Sequence, residues 1–561
     1  MNLRRIVAIL LAAALAAAAL PAGAGAAART PVAVYVDGVE LDAEPGAYTE
    51  NGRTMVPMRA IFEALHARVT WDNREKTVTG RTADRTIVLR VDDRTAQVNG
   101  KRVTLDAPAR LVDGRVMVPL RFVSESLGYS VYFNDKSGYY RDRLKVSIFT
   151  NPAVSLRYGE PIEGADTDDF FFTYYLNPAV RYIFKDGDRL HILHALQPGA
   201  ARSKFLFASP LRGVVIHHYD RNWNLLGKTE IEAELPLFGG FHRSEDGYFY
   251  IVYGQYNFEE DPSKPVYRVV KYDRNWRKAG QADIRDVFTS IPFDGSNVSM
   301  ASRGDLLVVH SARTRYVSND GLRHQSNITF KIRTTDMAVL DKGGEWPANH
   351  VSHSFGTFVR FDGSRIVYAD HGDAYPRSFV IQVEEDGRVT DVRNVLEFPG
   401  EIGENYTGAQ LGGLEVTDTH VLLAGASVYP KSSNLYAGSM NVFVAAVPKS
   451  DVGGAPIAFN WLTDHAGDPD GDGLPTEAEE VHLVPLGDGR HAVLWRQTGG
   501  GKSDGTYCAI VDSAGRTVKP PVKLGVPSPG NIDPLVSGGK LHWYEADGGK
   551  TAFYTVDLAK L

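Results

Sequence analysis

The chain has 561 residues, of which 43% are hydrophobic and 23% are charged, and its formal net charge at pH 7 is −7. The apolar share is sufficient for a folded core and excludes a globally disordered chain. The net acidity argues against nucleic acid as a partner, and the single cysteine excludes an intramolecular disulfide and a cysteine-based zinc site. The 55 glycines, 26 tyrosines and 25 phenylalanines favour short strands joined by turns over long helices.

The first 28 residues have the pattern of an export signal. Arg4 and Arg5 precede an unbroken apolar run, Ile6 to Leu20, and a series of small residues follows as far as Ala28. The run is shorter than the roughly 20 residues that a transmembrane helix needs. The sequence therefore predicts a cleaved signal peptide over 1–28 and a secreted, extracellular or cell-wall-associated protein with no membrane span after cleavage.

Residues 32–149 contain two copies of a short module at an offset of 62 residues. The string NGRTMVPMR, Asn51–Arg59, recurs as DGRVMVPLR, Asp113–Arg121. Asn-Gly and Asp-Gly favour tight hairpin turns, and a Val-Pro step favours an extended piece before a helix. One apolar helical stripe follows in each copy, formed by Ile61, Phe62 and Leu65 and by Phe122, Val123 and Leu127. Each copy is predicted as a few strands around one short helix, and the two copies are predicted to share a core.

This duplicated pattern resembles the N-terminal domain of copper amine oxidases, also called the stalk domain, which occurs in secreted proteins of Gram-positive bacteria. The G-R-x-M-V-P-[ML]-R core, the short helix and the following V-x-[WF]-[DN] each occur twice. The resemblance implies a small sheet wrapped on a helix, without catalytic residues. Arg59 and Arg121 are therefore assigned to a salt bridge or a helix cap, and carbohydrate or wall binding is the alternative.

The rest of the chain lacks the features that the oxidase needs. The resemblance would require a quinone-forming tyrosine within Asn-Tyr-Asp/Glu, and the nearest string, Asn405–Thr407, lacks the acid. Copper would require a His-x-His pair, which the sequence does not contain. Two pairs are three residues apart, a spacing that points to opposite faces of a strand: His191/His194 and His350/His353. We therefore predict no copper and no amine oxidase activity.

A linker is predicted at 150–169, and residues 170–561 then repeat short apolar strands between Gly, Asp and Asn turns. YDRNW, Tyr219–Trp223, recurs as Tyr272–Trp276 at an offset of 53 residues. In this motif Asp and Asn are predicted to form a tight turn, and Trp is predicted to pack between neighbouring repeat units. A period near 50 with about four strands per unit is typical of a β-propeller.

Seven blades are preferred, and six or eight stay open. A β-sandwich or two smaller β domains is the alternative. The last unit lacks an outer strand, and residues 170–175 are a candidate to supply it and close the ring.

The sharpest chemical motif lies at residues 468–479, DPDGDGLPTEAE, which fit D-x-D-x-D-G-x5-E. Calcium takes six to eight oxygen ligands, and a loop of this type supplies them from alternate positions and a closing Glu. The predicted ligands are Asp468, Asp470, Asp472, the Leu474 carbonyl, Thr476 through a water, and Glu479. The loop resembles those of dockerins and thrombospondin type 3 repeats. A helical turn is expected at 475–480, and a hydrophilic surface turn without calcium is the alternative.

The predicted fold class is mainly β: a duplicated small α+β module followed by a β-propeller. There is no G-x-S-x-G elbow, Walker loop, H-E-x-x-H or G-x-G-x-x-G after a strand. No catalytic or cofactor-binding residue is therefore predicted. The predicted function is a secreted or cell-surface binding or scaffold protein whose propeller binds a polysaccharide or a protein. The alternative is an extracellular propeller enzyme of glycosidase or lyase type, with carboxylates or histidines gathered at its central face.

Overall fold

The computed structural model describes residues 29–135, 144–162, 176–196, 210–432, 435, 438–465, 475–499, 501–547 and 549–561. The chain divides into two compact units, Met1–Thr150 and Asn151–Leu561. As the composition predicts, the described residues are mainly β. The export signal predicted at 1–28 lies outside them. No helix of the described part of the chain is long and apolar enough to cross a membrane.

The described residues of the first unit form two sheets and two short helices. The eight-stranded sheet and the five-stranded sheet are formed by β1 Thr30–Val36, β2 Val39–Glu40, β3 Tyr48–Glu50, β4 Arg53–Pro57, β10 Arg110–Val112, β11 Arg115–Pro119, β12 Ser130–Asn134 and β13 Leu144–Phe149, and by β5 Arg68–Asp72, β6 Thr77–Arg81, β7 Thr86–Arg90, β8 Thr95–Val98 and β9 Lys101–Thr104. The helices are α1 Met58–Ala64 and α2 Leu120–Ser126. Each helix follows the Val-Pro step of its copy, as predicted.

The two copies of the module meet at their Met-Val-Pro strands. β4 and β11 pair antiparallel, with Val56 opposite Val118. Asn51 and Asp113 adopt positive φ, and each is followed by a glycine that does the same, which is the backbone of a tight hairpin turn. One hydrophobic core contains the apolar faces of both helices, including Phe62 and Val123. The shared core that the repeat predicts is therefore present.

The described residues of the second unit form seven small antiparallel sheets, six of them built from consecutive strands. Sheet I contains β15 Arg181–Asp186, β16 Arg189–Leu196, β17 Gly213–Tyr219 and β18 Leu225–Glu232; sheet II contains β19 Leu237–Arg243, β20 Phe249–Gly254, β21 Tyr267–Tyr272 and β22 Lys278–Ile284; sheet III contains β23 Thr289–Pro292, β24 Ser299–Arg303, β25 Leu306–Val317, β26 Arg323–Arg333 and β27 Ala338–Asp341. Sheet IV contains β28 Ser354–Asp362, β29 Arg365–Gly372, β30 Ser378–Glu385 and β31 Arg388–Glu397; sheet V contains β32 Ala409–Val416, β33 His420–Ser427, β34 Asn441–Pro448 and β35 Ala458–Trp461; sheet VI contains β36 Glu477–Pro485, β37 His491–Thr498, β38 Gly505–Val511 and β39 Thr517–Lys523.

Sheet VII joins the beginning of the second unit to the end of the chain. It contains β40 Leu535–Ser537, β41 Lys540–Asp547 and β42 Lys550–Asp557, and its outer strand is β14 Val154–Gly159. β14 pairs antiparallel with β42 over six residues, from Val154↔Val556 to Gly159↔Thr551. The outer strand therefore comes from within the segment predicted as a linker, whereas the candidate at 170–175 lies outside the described residues.

Neighbouring sheets share hydrophobic cores, and the first strand of one sheet lies against the first strand of the next. β24 contacts β28, β28 contacts β32, β32 contacts β36, and β15 contacts β40. Sheets I and VII share the cluster that holds Tyr219, Trp223 and Phe553. The second unit therefore has the propeller-like set of small, mutually packed sheets that the repeat predicts.

The two Asp-Arg-Asn-Trp strings form tight turns and pack their Trp side chains between neighbouring sheets, as the sequence predicts. The Asp220 carboxylate accepts hydrogen bonds from the backbone N–H groups of Asn222 and Asn224, both close to 2.9 Å. Trp223 stacks on Phe553 of sheet VII with ring centroids 4.8 Å apart. Trp276 lies in the core that sheets I and II share. These residues build the structure and are not a site.

The two ends of each sheet differ in their connections. We call the end at which the first strand begins the entry end, because the chain enters each sheet there. In sheets I to VI the opposite end carries the hairpins from first to second and from third to fourth strand, such as residues 363–364 and 386–387. The entry end carries longer connections, including residues 342–353, 398–408 and 462–476. The predicted calcium loop therefore lies in a connection of the entry end, between β35 and β36.

Candidate functional site

The predicted calcium loop is only partly described. Asp468, Asp470, Asp472 and Leu474 lie outside the described residues, and Thr476 and Glu479 lie within them. Among the described residues, no group of three or more His, Cys, Asp or Glu side chains is arranged to hold a metal ion. Thr476 and Glu479 are therefore the two predicted ligands whose geometry is described.

Thr476 is fully buried immediately before β36. Its backbone N–H donates to Ser439 Oγ at 3.1 Å, and its carbonyl accepts from the Met440 N–H at 2.9 Å. Its hydroxyl is buried, and no hydrogen-bond partner for it occurs in the described part of the chain. An unpartnered buried hydroxyl is uncommon, and it fits the motif's use of this position to hold a water on the ion.

Glu479 lies on a strand. The helical turn expected at 475–480 is wrong, because β36 begins at Glu477 and Glu479 pairs with Arg496 across the ladder. Arg496 Nη2 lies 2.7 Å from Glu479 Oε1. Burial raises the pKa of Glu479, while the guanidinium of Arg496 lowers it. The closing carboxylate of the motif is thus held by a cation of the protein itself.

Two further carboxylates surround this position. Glu480 has a positive φ at a bulge in the strand, and its Oε1 lies 3.0 Å from Arg496 Nε. Burial raises the pKa of Glu477, and no hydrogen bond or ion pair of its side chain occurs among the described residues. One guanidinium therefore faces two carboxylates, with a third beside them, and the entry end of sheet VI is locally negative.

A second set of polar side chains lies along the first strands of the sheets, on β24 in sheet III and in the connection before β40 in sheet VII. We call it the axial cluster; it contains Tyr182, His242, Ser302, Arg360, Glu415, His482 and Asp533, one residue from each of the seven sheets or from the connection before its first strand. Arg360 donates to Glu415 Oε1 through both Nε and Nη2 at 3.0 Å. His242 Nε2 and Ser302 Oγ are hydrogen-bonded at 2.8 Å.

The ring of His482 lies between two hydrogen-bond acceptors in this cluster. Its Nδ1 lies 3.1 Å from Asp533 Oδ1, and its Nε2 lies 2.8 Å from the Gly530 carbonyl. Both partners accept only, so both ring nitrogens must donate. Although burial lowers the pKa of His482, the hydrogen bond to Asp533 raises it more, and the net shift is upward.

Asp533 is the exposed member of the cluster. Its side chain is 90% exposed, yet desolvation acts strongly on it, and its pKa falls only because His482 and Arg360 outweigh that desolvation. Arg360 also lowers the pKa of His242, where burial is the larger cause and brings the value to about 4.

Sequence reasoning missed the axial cluster. Its members occupy isolated positions in otherwise apolar strands, and no motif or fixed spacing marks them. Only the second repeat, which identifies each first strand, could have pointed to its inward-facing polar positions. The residue nearest to an oxidase motif, Tyr406, has a packing role, since its hydroxyl donates to the Leu435 carbonyl at 2.9 Å.

The structure also places the arginine and histidine positions that the sequence singles out. Arg59 and Arg121 are both exposed; Arg121 Nε lies 3.9 Å from Glu125 Oε1, within the range of a salt bridge. His191 and His194 are both buried in β16, and His191 faces His218 with the two Nδ1 atoms 2.8 Å apart.

Comparisons with known proteins support the first unit most directly. Residues 35–140 match the family model described as the copper amine oxidase N-terminal domain, which confirms the resemblance seen in the duplicated module. No curated protein matches the chain.

Solved structures resemble the chain weakly. The GH43 BlXynB protein from Bacillus licheniformis is 13% identical, with 64% of this chain and 56% of that chain covered and a TM-score of 0.29. The hemagglutinin-neuraminidase of parainfluenza virus 5 is 10% identical over 65% of this chain and 93% of that chain, with a TM-score of 0.30. Extracellular domains 1–2 of Drosophila semaphorin 1b are 9% identical over 69% and 86%, with a TM-score of 0.33. This chain spans little more than half of the GH43 protein, and assignment of a function depends on its own residues.

Proposed function

We propose that the protein is an exported binding protein whose second unit is a seven-bladed β-propeller, with sheets I to VII as its blades. The mutual packing of the sheets, and the shared core of sheets I and VII, support this arrangement. The leading apolar run supports export, by a cleaved signal over 1–28. The mature protein is then secreted or held at the cell surface, with a wall or extracellular polysaccharide as the favoured ligand.

The observation that carries binding is the pairing of charges in the axial cluster. Glu415 is held by Arg360, and Asp533 is held by His482. A glycosidase needs one protonated and one ionised carboxyl group that act on the substrate. Carboxylates bound to cations instead present fixed donors and acceptors, which suit the hydroxyl groups of a ligand.

We also propose that residues 468–479 bind calcium through Asp468, Asp470, Asp472, the Leu474 carbonyl, Thr476 and Glu479. The buried, unpartnered Thr476 hydroxyl and the negative surroundings of Glu479 support this site. In this proposal the ion takes over Glu479 from Arg496, which retains Glu480. The role is structural, since the loop connects two blades.

An extracellular enzyme of glycosidase or lyase type is the second candidate. Glu477 and Glu479 are two residues apart on one strand and therefore project from the same face. Burial raises the pKa of both, which is the direction that a general acid requires. In this second candidate function, Glu477 and Glu479 are the catalytic carboxyl groups.

One experiment separates the two candidates. Retardation of the protein in native gels containing soluble xylan, a mixed-linkage glucan or purified Gram-positive wall polysaccharide measures binding, and release of reducing ends measures hydrolysis. Binding without turnover is expected, and Arg360→Gln should weaken it at least about tenfold by leaving Glu415 unpaired. Arg268→Gln, which removes a similarly paired arginine from the outer strands of sheet II, is the matched control.

If the wild type hydrolyses a polysaccharide and Glu477→Gln does not, the protein is an enzyme and the binding proposal is wrong. If Arg360→Gln is retarded as strongly as the wild type, the axial cluster does not take part in binding. No retardation by any polysaccharide would leave a protein ligand as the alternative.

A further inference from the structure

Two exposed tyrosines occupy equivalent positions at the entry end. Tyr375-Pro376-Arg377-Ser378 recurs as Tyr429-Pro430-Lys431-Ser432, an offset of 54 residues that matches the period of the sheets. Each string connects the second and third strands of its sheet, IV and V respectively. Tyr375 is 68% exposed and Tyr429 is 36% exposed. A large aromatic side chain left in solvent at the same place in two successive repeats is not needed for packing.

A third aromatic side chain, Trp346, lies in the connection that enters sheet IV and is 59% exposed. The guanidinium of Arg315 lies 4.0 Å from the centre of its ring. The His350 ring meets it edge-on, with centroids 4.8 Å apart. The indole is therefore fixed in orientation while much of it stays exposed, which lowers the entropy lost when a ligand stacks on it.

The loops that carry these rings are joined by backbone hydrogen bonds. The Ser352 N–H donates to the Tyr375 carbonyl at 3.3 Å, and the Gly403 N–H donates to the Asp373 carbonyl at 3.2 Å. The Val428 N–H donates to the Gly408 carbonyl at 2.9 Å. The four connections at 342–353, 373–377, 398–408 and 428–432 therefore form one continuous ridge across sheets IV and V. We call Trp346, Tyr375 and Tyr429 the aromatic ridge.

The loops of the ridge also carry charged groups: Asp373 and Arg377 are buried, and Lys431 and Asp464 are more exposed. His353 Nδ1 lies 3.4 Å from Asp373 Oδ2, and Arg377 pairs with the same carboxylate. Lys431 Nζ lies 2.7 Å from Asp464 Oδ1, and that carboxylate is largely exposed. The core of a protein interface is a continuous apolar patch depleted in charge. Single exposed rings with the Lys431–Asp464 ion pair in the same group of loops instead suit a chain of sugar rings, since each sugar ring has an apolar C–H face and a rim of hydroxyl groups.

We propose that the aromatic ridge binds a linear polysaccharide, with successive sugar rings stacked on Trp346, Tyr375 and Tyr429. This deepens the proposed function, on which it rests, by assigning the ligand class and a surface separate from the axial cluster. The side chains of Lys431 and Asp464 supply hydrogen bonds to hydroxyl groups beside Tyr429.

The test is retardation of the full chain in native gels that contain soluble xylan, a mixed-linkage glucan or purified Gram-positive wall polysaccharide. Trp346→Ala, Tyr375→Ala and Tyr429→Ala are each expected to weaken binding roughly tenfold, and the triple variant should leave only the weak binding that the axial cluster supports by itself. Phe459→Ala, an aromatic of similar exposure to Tyr429 on the outer strand of sheet V, is the matched control. Each variant's thermal unfolding midpoint is recorded, and conservative Tyr375→Phe should retain binding.

Comparison of the ridge variants with Arg360→Gln tests the aromatic ridge and the proposed function separately. If the folded triple variant binds as the wild type does while Arg360→Gln does not, the ridge is overturned and the proposed function stands. If the wild type binds none of the three polysaccharides, or if a protein ligand displaces them from the ridge, the polysaccharide assignment is overturned. If the triple variant unfolds, the Tyr375→Ala and Tyr429→Ala single variants decide, because both side chains are already exposed.

Discussion

At the scale of single residues, His482 couples the axial cluster to pH. Its two ring nitrogens donate to Asp533 and to the Gly530 carbonyl, so the folded protein favours the protonated ring. Since the pKa of His482 is raised above its usual 6.5, the stabilisation is complete below about 6.5 and is lost as the pH rises through the raised value. Salt screens the exposed Asp533, so the pair contributes about 1 kcal/mol or less.

We predict that Asp533→Asn lowers the pKa of His482, because it removes the carboxylate that favours the charged ring. The thermal unfolding midpoint of the variant should fall below that of the wild type at pH 6, and the two should converge by pH 9. NMR titration of the His482 ring measures the first effect directly. An unchanged His482 pKa in the variant would contradict the assigned pairing.

His371 has the opposite behaviour. It is buried among the rings of Phe355, Phe379 and Phe398 and hydrogen-bonded to Thr407. Burial lowers its pKa to about 3, so the fold requires the neutral ring. The unfolded chain binds a proton below about 6.5, and stability is therefore lost as the pH falls from there towards 3.

We predict that the buried His371 ring alone lowers the free energy of unfolding by on the order of 1 kcal/mol for each pH unit below about 6. In urea unfolding at pH 7 and pH 5, His371→Gln should lose less stability between the two values than the wild type loses. His420→Gln, at a hairpin, should leave the pH dependence unchanged. Equal losses in all three proteins would assign the acid sensitivity to other groups.

At the scale of elements, the close approach of neighbouring first strands depends on glycine. A methyl group on Gly412 of β32 would lie 2.5 Å from Val481 Cβ and 2.7 Å from the Val481 carbonyl oxygen of β36. Contacts that short force the two strands apart, because a backbone atom cannot rotate away. Gly227 of β18 has no atom within 4 Å of the same position.

Gly412→Ala is therefore expected to lower the free energy of unfolding by about 1–3 kcal/mol. Gly227→Ala should be neutral or slightly stabilising, since it restricts the unfolded chain. Chemical denaturation of both variants compares them. A Gly412→Ala variant as stable as the wild type would show that sheets V and VI can separate without cost.

The calcium loop is also an element-scale feature, since it forms the connection between sheets V and VI. Calcium that binds only the folded protein raises the unfolding midpoint in proportion to its affinity. We predict a calcium-dependent rise for the wild type, with heat of binding in calorimetry. Asp470→Ala should abolish both, and Asp488→Ala, in a hairpin of sheet VI, should abolish neither. The absence of heat in the wild type would exclude the site.

At the scale of the whole molecule, the second unit is closed by pairing residues that are far apart in sequence. β14 and β42 join residues 154–159 to residues 551–556. Without β14, β42 would present an open edge. Leu156 packs into the buried side of this pairing, whereas Ser155 faces solvent.

Leu156→Asp is expected to lower the free energy of unfolding by about 3 kcal/mol or more, because it buries an unpaired carboxylate. Ser155→Asp should change stability little. Thermal unfolding with gel filtration follows both, and the Leu156→Asp variant should also self-associate through the freed edge. A stable, monomeric Leu156→Asp protein would show that the seventh sheet does not need its outer strand.

Much of the fold followed from local patterns. The Asn51-Gly52 and Asp113-Gly114 turns, the helices after Val-Pro and the Asp-Arg-Asn-Trp turns were predictable because short-range backbone preferences and hydrophobic spacing decide them. Glu479 was predicted to be part of a helical turn and lies on a strand, because pairing with β37 outweighs the local preference of Pro475 to Glu480 for a turn. The outer strand of sheet VII was assigned to 170–175, since nothing local distinguishes it from Val154–Gly159.

The sequence by itself determined the repeats, and with them the duplicated module, the small antiparallel sheets and the calcium motif. These depend on the order of residues over short distances, which a sequence displays directly. Tertiary structure alone decided which strand completes sheet VII and which side chains meet at the axial cluster and the aromatic ridge. Tyr182 and Asp533 are separated by most of the chain, and only the packing of successive sheets brings such positions together.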